Sequence, residues 1–500
     1  MRFSAAGCRP CKLARKKCDD TRPACLRCTR AGKTCYGYQE AFSLVIDETV
    51  YASRKQKRPR GPRSADRGTV VLSTGLSRDF QSEAIAYYMR KHLEPVNDAA
   101  SVLETPLNAL LAAWQSTPAL PLAVSSVALV VFSRMRKYPP AAARASLTYQ
   151  ESLPLLKFDL SALNPDNINA CLLTICYMSR YEDSIHNISA NSSLGNSTPP
   201  QSRPHYAGIM AVLLYWRDVI SNTQPPTEAV KYARRVLRKV TLFGLVDIPD
   251  WLMDGAVFGE LGGELELDQI IIRLISLRAQ VDEITIQLCG THFSSDDLKR
   301  LKFIDQELRA IDTALLSWLE RSAESACSTN MQRTFSSDRA LRRDKFFGHR
   351  IHIYTNQGDA ALHAQYYGYG LLARHLRVRV LELMEACSQP HAISKTLITE
   401  ARDDILSLAD GLASTIPFCL ERVSGSERPG PFGDGIVIRE GNSGVPGTTE
   451  PAILPLMIVS AIPNLDNEYS AWFRSQMADI GRITGYGFML SLSTGYGLRL

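Results

Sequence analysis

From about Leu76 to the end of the chain, hydrophobic positions recur three and four residues apart, the period of a helix that buries one face. Phe80 to His92 shows the pattern on a small scale, with Ala84, Ile85, Tyr88 and Met89 at helical spacing. The same spacing predicts helices over residues 105–115, 120–136, 140–153, 166–182, 205–221 and 226–242, punctuated by Pro95, Pro118, Pro139-Pro140 and Pro154. It returns over 266–289, 295–322, 340–366, 368–387 and 392–414, and residues 455–460 and 472–491 close the series. The two-residue alternation of a half-buried strand is nearly absent. An all-α body over 76–500 follows, expected as antiparallel helix pairs stacked around an elongated core. Two stretches interrupt it: 184–204, rich in Ser and Asn, and 424–451, with seven glycines and four prolines. Both read as loops, the second long and exposed.

The N-terminal stretch has a different grammar. Six of the chain's 12 cysteines fall between residues 8 and 35, as Cys8-x2-Cys11-x6-Cys18 and Cys25-x2-Cys28-x6-Cys35, the second triplet displaced from the first by 17 positions throughout. Repeated Cys-x2-Cys pairs are the spacing by which thiolates close a tetrahedral zinc shell. Two separate sites need eight sulfurs. Six suffice if two of them bond both metals, which makes a Zn2Cys6 binuclear cluster. So few residues bury little apolar surface, so the module is expected to be unfolded without zinc.

Charge then points to a partner. Residues 1–35 carry a net charge of +8 and residues 36–67 a net +3, against +6 for the whole chain, so the remaining 433 residues are net −5. Lys12, Arg15, Lys16 and Lys17 fill most of the first six-residue gap, and Arg27, Arg30 and Lys33 surround the second cysteine pair. A basic module on an acidic body is the electrostatic footprint of nucleic-acid binding. Pro23 and Asp19-Asp20 mark the turn between the halves, and Gly32 can end the second short helix in the left-handed conformation. Downstream, Arg54, Lys55, Lys57, Arg58, Arg60 and Arg63 form a basic run broken by Pro59, Gly61 and Pro62. It reads as a nuclear import signal or an arm on phosphates, within a linker over 39–75.

The six cysteines, Lys16-Lys17 before Cys18, Pro23 and the ending Gly32-Lys33-Thr34-Cys35-Tyr36 resemble the zinc-cluster DNA-binding domain of fungal Zn2Cys6 transcription factors. The resemblance implies a domain over 1–38 holding two structural zinc ions. Cys8 and Cys25 would bridge them, Cys11 and Cys18 would complete one site, and Cys28 and Cys35 the other. It also implies a first helix, Lys12 to Cys18, that enters the major groove of double-stranded DNA at a CGG-like half-site. Lys12, Arg15, Lys16 and Lys17 are its candidate contacts. Arg15 can bond guanine bidentately, Lys16 reads as a backbone contact, and Ala14 stands where a basic side chain is usual. In the body, His205-Tyr-Ala-Gly-Ile-Met-Ala-Val-Leu-Leu and Leu454-Pro-Leu-Met-Ile-Val-Ser-Ala, with Trp472 and Ile480-Gly481, resemble the helical regulatory domain of the same factors.

The implied function is a nuclear, sequence-specific transcriptional regulator of RNA polymerase II genes, working with co-regulators; the rival is a zinc-stabilised protein–protein adaptor without base reading. No sustained heptad pattern follows the cluster, so a homodimer would form through the body rather than a zipper. Residues 1–10 show no apolar signal run, and the apolar run Leu120–Phe132 is too short to span a bilayer, so a buried helix is expected and no membrane partner. No catalytic constellation stands out, and an enzyme is not expected. His349-x2-His352 places two imidazoles on one face of the expected helix, but no third ligand follows at a useful spacing. Cys171, Cys176, Cys289, Cys327, Cys387 and Cys419 are isolated in apolar texture and read as small buried hydrophobes. Aromatic and Met side chains of the body could serve a small-molecule effector, but at helical spacing they read first as core.

Overall fold

The computed structural model describes residues 8, 11, 14, 16–19, 21, 25–32 and 35 near the N-terminus. Beyond them it describes 79–94, 107–185, 202–288, 294–325, 333–336, 342–387, 395–425, 436–439, 444–463 and 465–493. The chain divides into two compact units, Met1–Ser77 and Arg78–Leu500. In the first, five buried cysteines and a half-buried Cys35 form a core of their own, and the short helix α1 (Leu26–Arg30) lies among the described residues.

The second unit is mostly helical, as the periodicity predicts. Its helices are α2 (Phe80–Tyr88), α3 (Leu107–Ala113), α4 (Ala119–Arg136), α5 (Pro139–Ser161), α6 (Ile168–Ile185), α7 (Arg203–Tyr215) and α8 (Glu228–Leu242). There follow α9 (Gly262–Leu288), α10 (Ser295–Ser325), α11 (Gln357–Cys387), α12 (Lys395–Cys419), α13 (Pro446–Thr449), α14 (Ile453–Ala461), α15 (Asn467–Thr484) and α16 (Gly487–Leu492). Consecutive helices pack side by side: α4 with α5, α6 with α7, α9 with α10, α11 with α12, and α15 with α16. Their ends carry the expected stop and start signals. Thr227 caps α8 through its hydroxyl on the Val230 amide at 3.3 Å, and Gly485 closes α15 at φ 77°.

The apolar faces meet in two adjoining cores. The larger draws on α2 to α8 and on the C-terminal helices; the smaller joins α9, α10 and one side of α11. α11 serves both, turning Ala360, Ala364 and Leu371 to the larger and Tyr369, Leu372 and Leu376 to the smaller. α4 is long and apolar enough to cross a membrane, yet Ala123 to Ser133 are all buried inside the body, so it acts as the central core helix.

Several sequence expectations need correction. Pro154 does not end α5, which runs on to Ser161. The proline and Gln150, whose carbonyl loses its helical partner, both lie on the exposed side, where water can replace the missing bond. The helices expected over 340–366 and 368–387 are a strand followed by one helix: β2 (Arg350–Ile353) pairs antiparallel with β1 (Arg333–Ser336), and α11 passes through Gly368 and Gly370 unbroken. His352 therefore lies on a strand, with Nδ1 3.2 Å from the Thr415 hydroxyl, and shares no helical face with His349. The stretch 424–451 is only partly loop: β3 (Val423–Gly425) pairs with β4 (Ile436–Ile438), and Pro446, Gly447 and Thr449 of α13 are buried.

Cys171, Cys176 and Cys419 are buried, and burial pushes each thiol up to about 12, so they behave as inert apolar groups. Cys289 and Cys327, the side chain of Cys387, and most of 184–204 lie outside the described residues.

Candidate metal centre and nucleic-acid interface

All six N-terminal cysteines converge. Their sulfurs fall into two groups of four, Cys8, Cys11, Cys18 and Cys25 in one, Cys8, Cys25, Cys28 and Cys35 in the other. Cys8 and Cys25 belong to both. Within the groups, Cys8 and Cys25 are 3.6 Å apart, and Cys8–Cys28 and Cys11–Cys25 3.7 Å; Cys11 and Cys28, in different groups, are 3.9 Å apart. Four thiolates at about 2.3 Å from a tetrahedral zinc stand about 3.8 Å apart. Disulfide bonding, which needs about 2.05 Å between sulfurs, does not fit these contacts. The donor set therefore fits zinc.

Electrostatics points the same way. Desolvation first, then hydrogen bonding among the sulfurs, pushes Cys8 and Cys11 up to about 12; for Cys28 the bond with Cys25 is the leading cause of a rise to about 12. A crowded nest of sulfurs resists negative charge on its own. A divalent cation reverses that balance, because a coordinating thiol is deprotonated outright.

The surrounding chain is built to present the sulfurs. Cys25 is the N-cap of α1, and its sulfur accepts the Cys28 amide at 3.3 Å; the Cys8 amide points at Cys18 Sγ at 3.4 Å. Asp19 reaches across the turn to accept the Leu26 and Arg27 amides at 2.9 and 3.1 Å, together with the Thr21 hydroxyl. These bonds, the Thr21 hydroxyl foremost, hold its carboxyl well below the usual range. Asp19 thus supplies a second cap to α1, and Arg27 Nη1 ties back to the Lys17 carbonyl at 3.3 Å. The sequence reading missed both roles; an Asp just past the third cysteine, ahead of a short helix, was the available signal. Gly32 does take the left-handed conformation, at φ 60°.

Of the candidate reading helix, Lys12 to Cys18, the structure describes Ala14 and residues 16–18. The Lys16 amide closes a turn on the Cys11 carbonyl at 3.0 Å, and residues 16–18 are not helical. Lys16 and Lys17 are exposed beside the buried Cys18, and Ala14 is exposed too. Lys12, Arg15 and the basic run Arg54, Lys55, Lys57, Arg58, Arg60 and Arg63 lie outside the described residues.

Comparison with known families gives this geometry its class. Residues 6–43 match the model of the fungal Zn(2)-Cys(6) binuclear cluster domain. The N-terminal module is a member of that domain family, and its cofactor is a pair of structural zinc ions. Proteins carrying the domain are typically nuclear, DNA-binding transcription regulators rather than enzymes. No curated protein matches the chain, and no solved structure does.

Proposed function

We propose that this chain is a nuclear, sequence-specific regulator of RNA polymerase II transcription that reads CGG-like half-sites through its zinc cluster. The observation that carries the reading is the pair of four-sulfur groups sharing Cys8 and Cys25. In this reading Cys8 and Cys25 bridge two zinc ions, Cys11 and Cys18 complete one tetrahedron, and Cys28 and Cys35 the other. Every coordination position is then a thiolate, leaving no open site for water chemistry, so the metals are scaffold. Arg15 reads guanine, while Lys12, Lys16 and Lys17 hold the backbone. The exposure of Lys16 and Lys17 and the net +8 of residues 1–35 support contact with DNA through this stretch. The run from Arg54 to Arg63 serves nuclear import or phosphate binding, and the helical body over 76–500 regulates, recruiting co-regulators or a second copy of the chain.

Fluorescence anisotropy of the zinc-loaded full chain tests this, with duplexes carrying or lacking a CGG triplet at two salt concentrations. Preference for the CGG duplex, lost in Arg15→Ala, with affinity falling steeply as salt rises, is the expected result. Equal binding to both duplexes, unchanged by Arg15→Ala, would remove base reading and favour a zinc-stabilised adaptor.

A further inference from the structure

The helical body contains a half-open cavity of about 280 Å³ bordered by α6, α7, α8, α9, α11 and the chain from α13 to α16. That is room for roughly nine waters at about 30 Å³ each. Much of its wall is apolar or aromatic, with Tyr206, Tyr232, Tyr486 and Phe488 among the lining rings. The rest is charged, and most of that charge is already matched. Arg180 meets Glu450 at 2.5 Å, Arg235 bonds Glu260, and Arg238 bonds Asp268 at 2.5 Å.

Asp183 of α6 is different. It lines the same cavity, and no ion pair holds it among the described residues. Burial lifts its carboxyl to about 7, with the Glu182 charge adding to the rise and the Ser202 hydroxyl, Arg180 and His205 only partly opposing it. Asp183 is half-buried; a carboxylate in that position without a counter-ion carries part of the cost of desolvation, and a cation arriving from outside relieves it.

We propose that this cavity binds a small organic cation, a protonated amine on a flat apolar body, with Asp183 as its counter-ion and the tyrosine rings against its body. Tyrosine faces attract cations, as Arg180 already shows over the Tyr486 ring at 5.5 Å. An anionic ligand meets the opposite situation, because the arginines hold carboxylates already, Lys239 of the same wall is likewise engaged, and the anion's charge would fall beside Glu260, Glu264 and Glu450. The volume lies just below the usual ligand-cavity range of about 300–1,000 Å³, which limits the ligand to one or two rings. The site lies wholly within the second unit, so the proposal is independent of the DNA reading.

Isothermal titration of the zinc-loaded full chain with tryptamine and with indole-3-propionate, alike in ring and opposite in charge, tests it. Saturable tryptamine binding, weakened about tenfold or more by Asp183→Asn and lost in Val236→Phe, which fills the cavity, is the expected outcome. Each variant is first checked for an unchanged helical circular-dichroism spectrum; Val236→Phe leaves the carboxylate in place and so reads the cavity separately. Tighter binding of the indole acid, tryptamine binding that neither variant disturbs, or no tryptamine binding up to about 10 mM would each overturn the proposal.

Discussion

The sulfurs of Cys8 and Cys25 lie 3.6 Å apart, and each stands within both four-sulfur groups. The two halves of the module are therefore not two independent zinc sites. Losing a shared sulfur opens both metal shells; losing an unshared one opens only one. We expect Cys25→Ser to reduce bound zinc from two ions toward none, and Cys35→Ser to leave about one. Zinc per chain, measured by inductively coupled plasma mass spectrometry after desalting, distinguishes the two. Equal losses in both variants would contradict shared sulfurs.

In the body, Arg234 and Asp268 form an ion pair with no exposure to solvent. Arg234 reaches the carboxylate at 2.6 and 2.9 Å and donates to the Leu252 and Met253 carbonyls at 2.9 Å each. Removing Arg234 takes one of two cationic partners from the buried Asp268, Arg238 remaining at 2.5 Å, and leaves two carbonyls short of donors. Arg234→Ala should cost about 2–5 kcal/mol. Arg321, whose ion pair with Glu266 at 3.0 Å is exposed on both sides, is the control, and Arg321→Ala should cost under about 1 kcal/mol. Urea unfolding of both variants gives the comparison, and similar losses would mean that the buried cluster contributes no more than a surface pair.

Gly368 and Gly370 show where the sequence misleads. Two glycines in Tyr-Tyr-Gly-Tyr-Gly lower helix propensity, so the pattern breaks at residue 367, but α11 continues because tertiary packing needs the missing side chains. A Cβ on Gly368 would sit 2.9 Å from the Pro455 Cα of α14, against backbone that cannot swing aside. One on Gly370 would meet the end of the Leu408 side chain, Cδ1 at 3.0 Å. Gly368→Ala should therefore destabilise by about 1–3 kcal/mol, and Gly370→Ala by less, since a leucine methyl can rotate away. Thermal denaturation ranks them, and the reverse order would refute the close approach of α11 and α14.

The same logic divides what was legible from what was not. The cysteine spacing fixes a chemistry through composition alone, so the metal centre could be read before any fold. Amphipathic helices such as α8 and α10 announce themselves because one face is buried and the other wet. The hairpin of β1 and β2 is four residues a side, too short for alternation to register, and Asp183 looks like any helix-surface acid until its neighbours close around it. Such features depend on contacts between distant segments, which no local period encodes.

His92 carries the last prediction. It is fully buried, stacked on Tyr88 at 4.6 Å between ring centroids, with Nδ1 3.4 Å from the Tyr486 hydroxyl. Burial first, and Arg180 second, lower its pKa to about 3. Between about pH 6.5 and 3 the unfolded chain binds a proton at this position and the folded chain does not, so the His92 contribution falls as pH falls, by at most about 1.4 kcal/mol per unit. Asp183 runs the other way: its folded form holds a proton up to about 7, so its contribution rises as pH falls from about 7 toward 4. The excess stability of the wild type over His92→Phe should accordingly shrink on acidification, and its excess over Asp183→Asn should grow. Differences taken between proteins at each pH cancel the other titrating groups. Parallel stability–pH curves for wild type and both variants, from urea unfolding between pH 4 and 7, would show that neither group is buried as described.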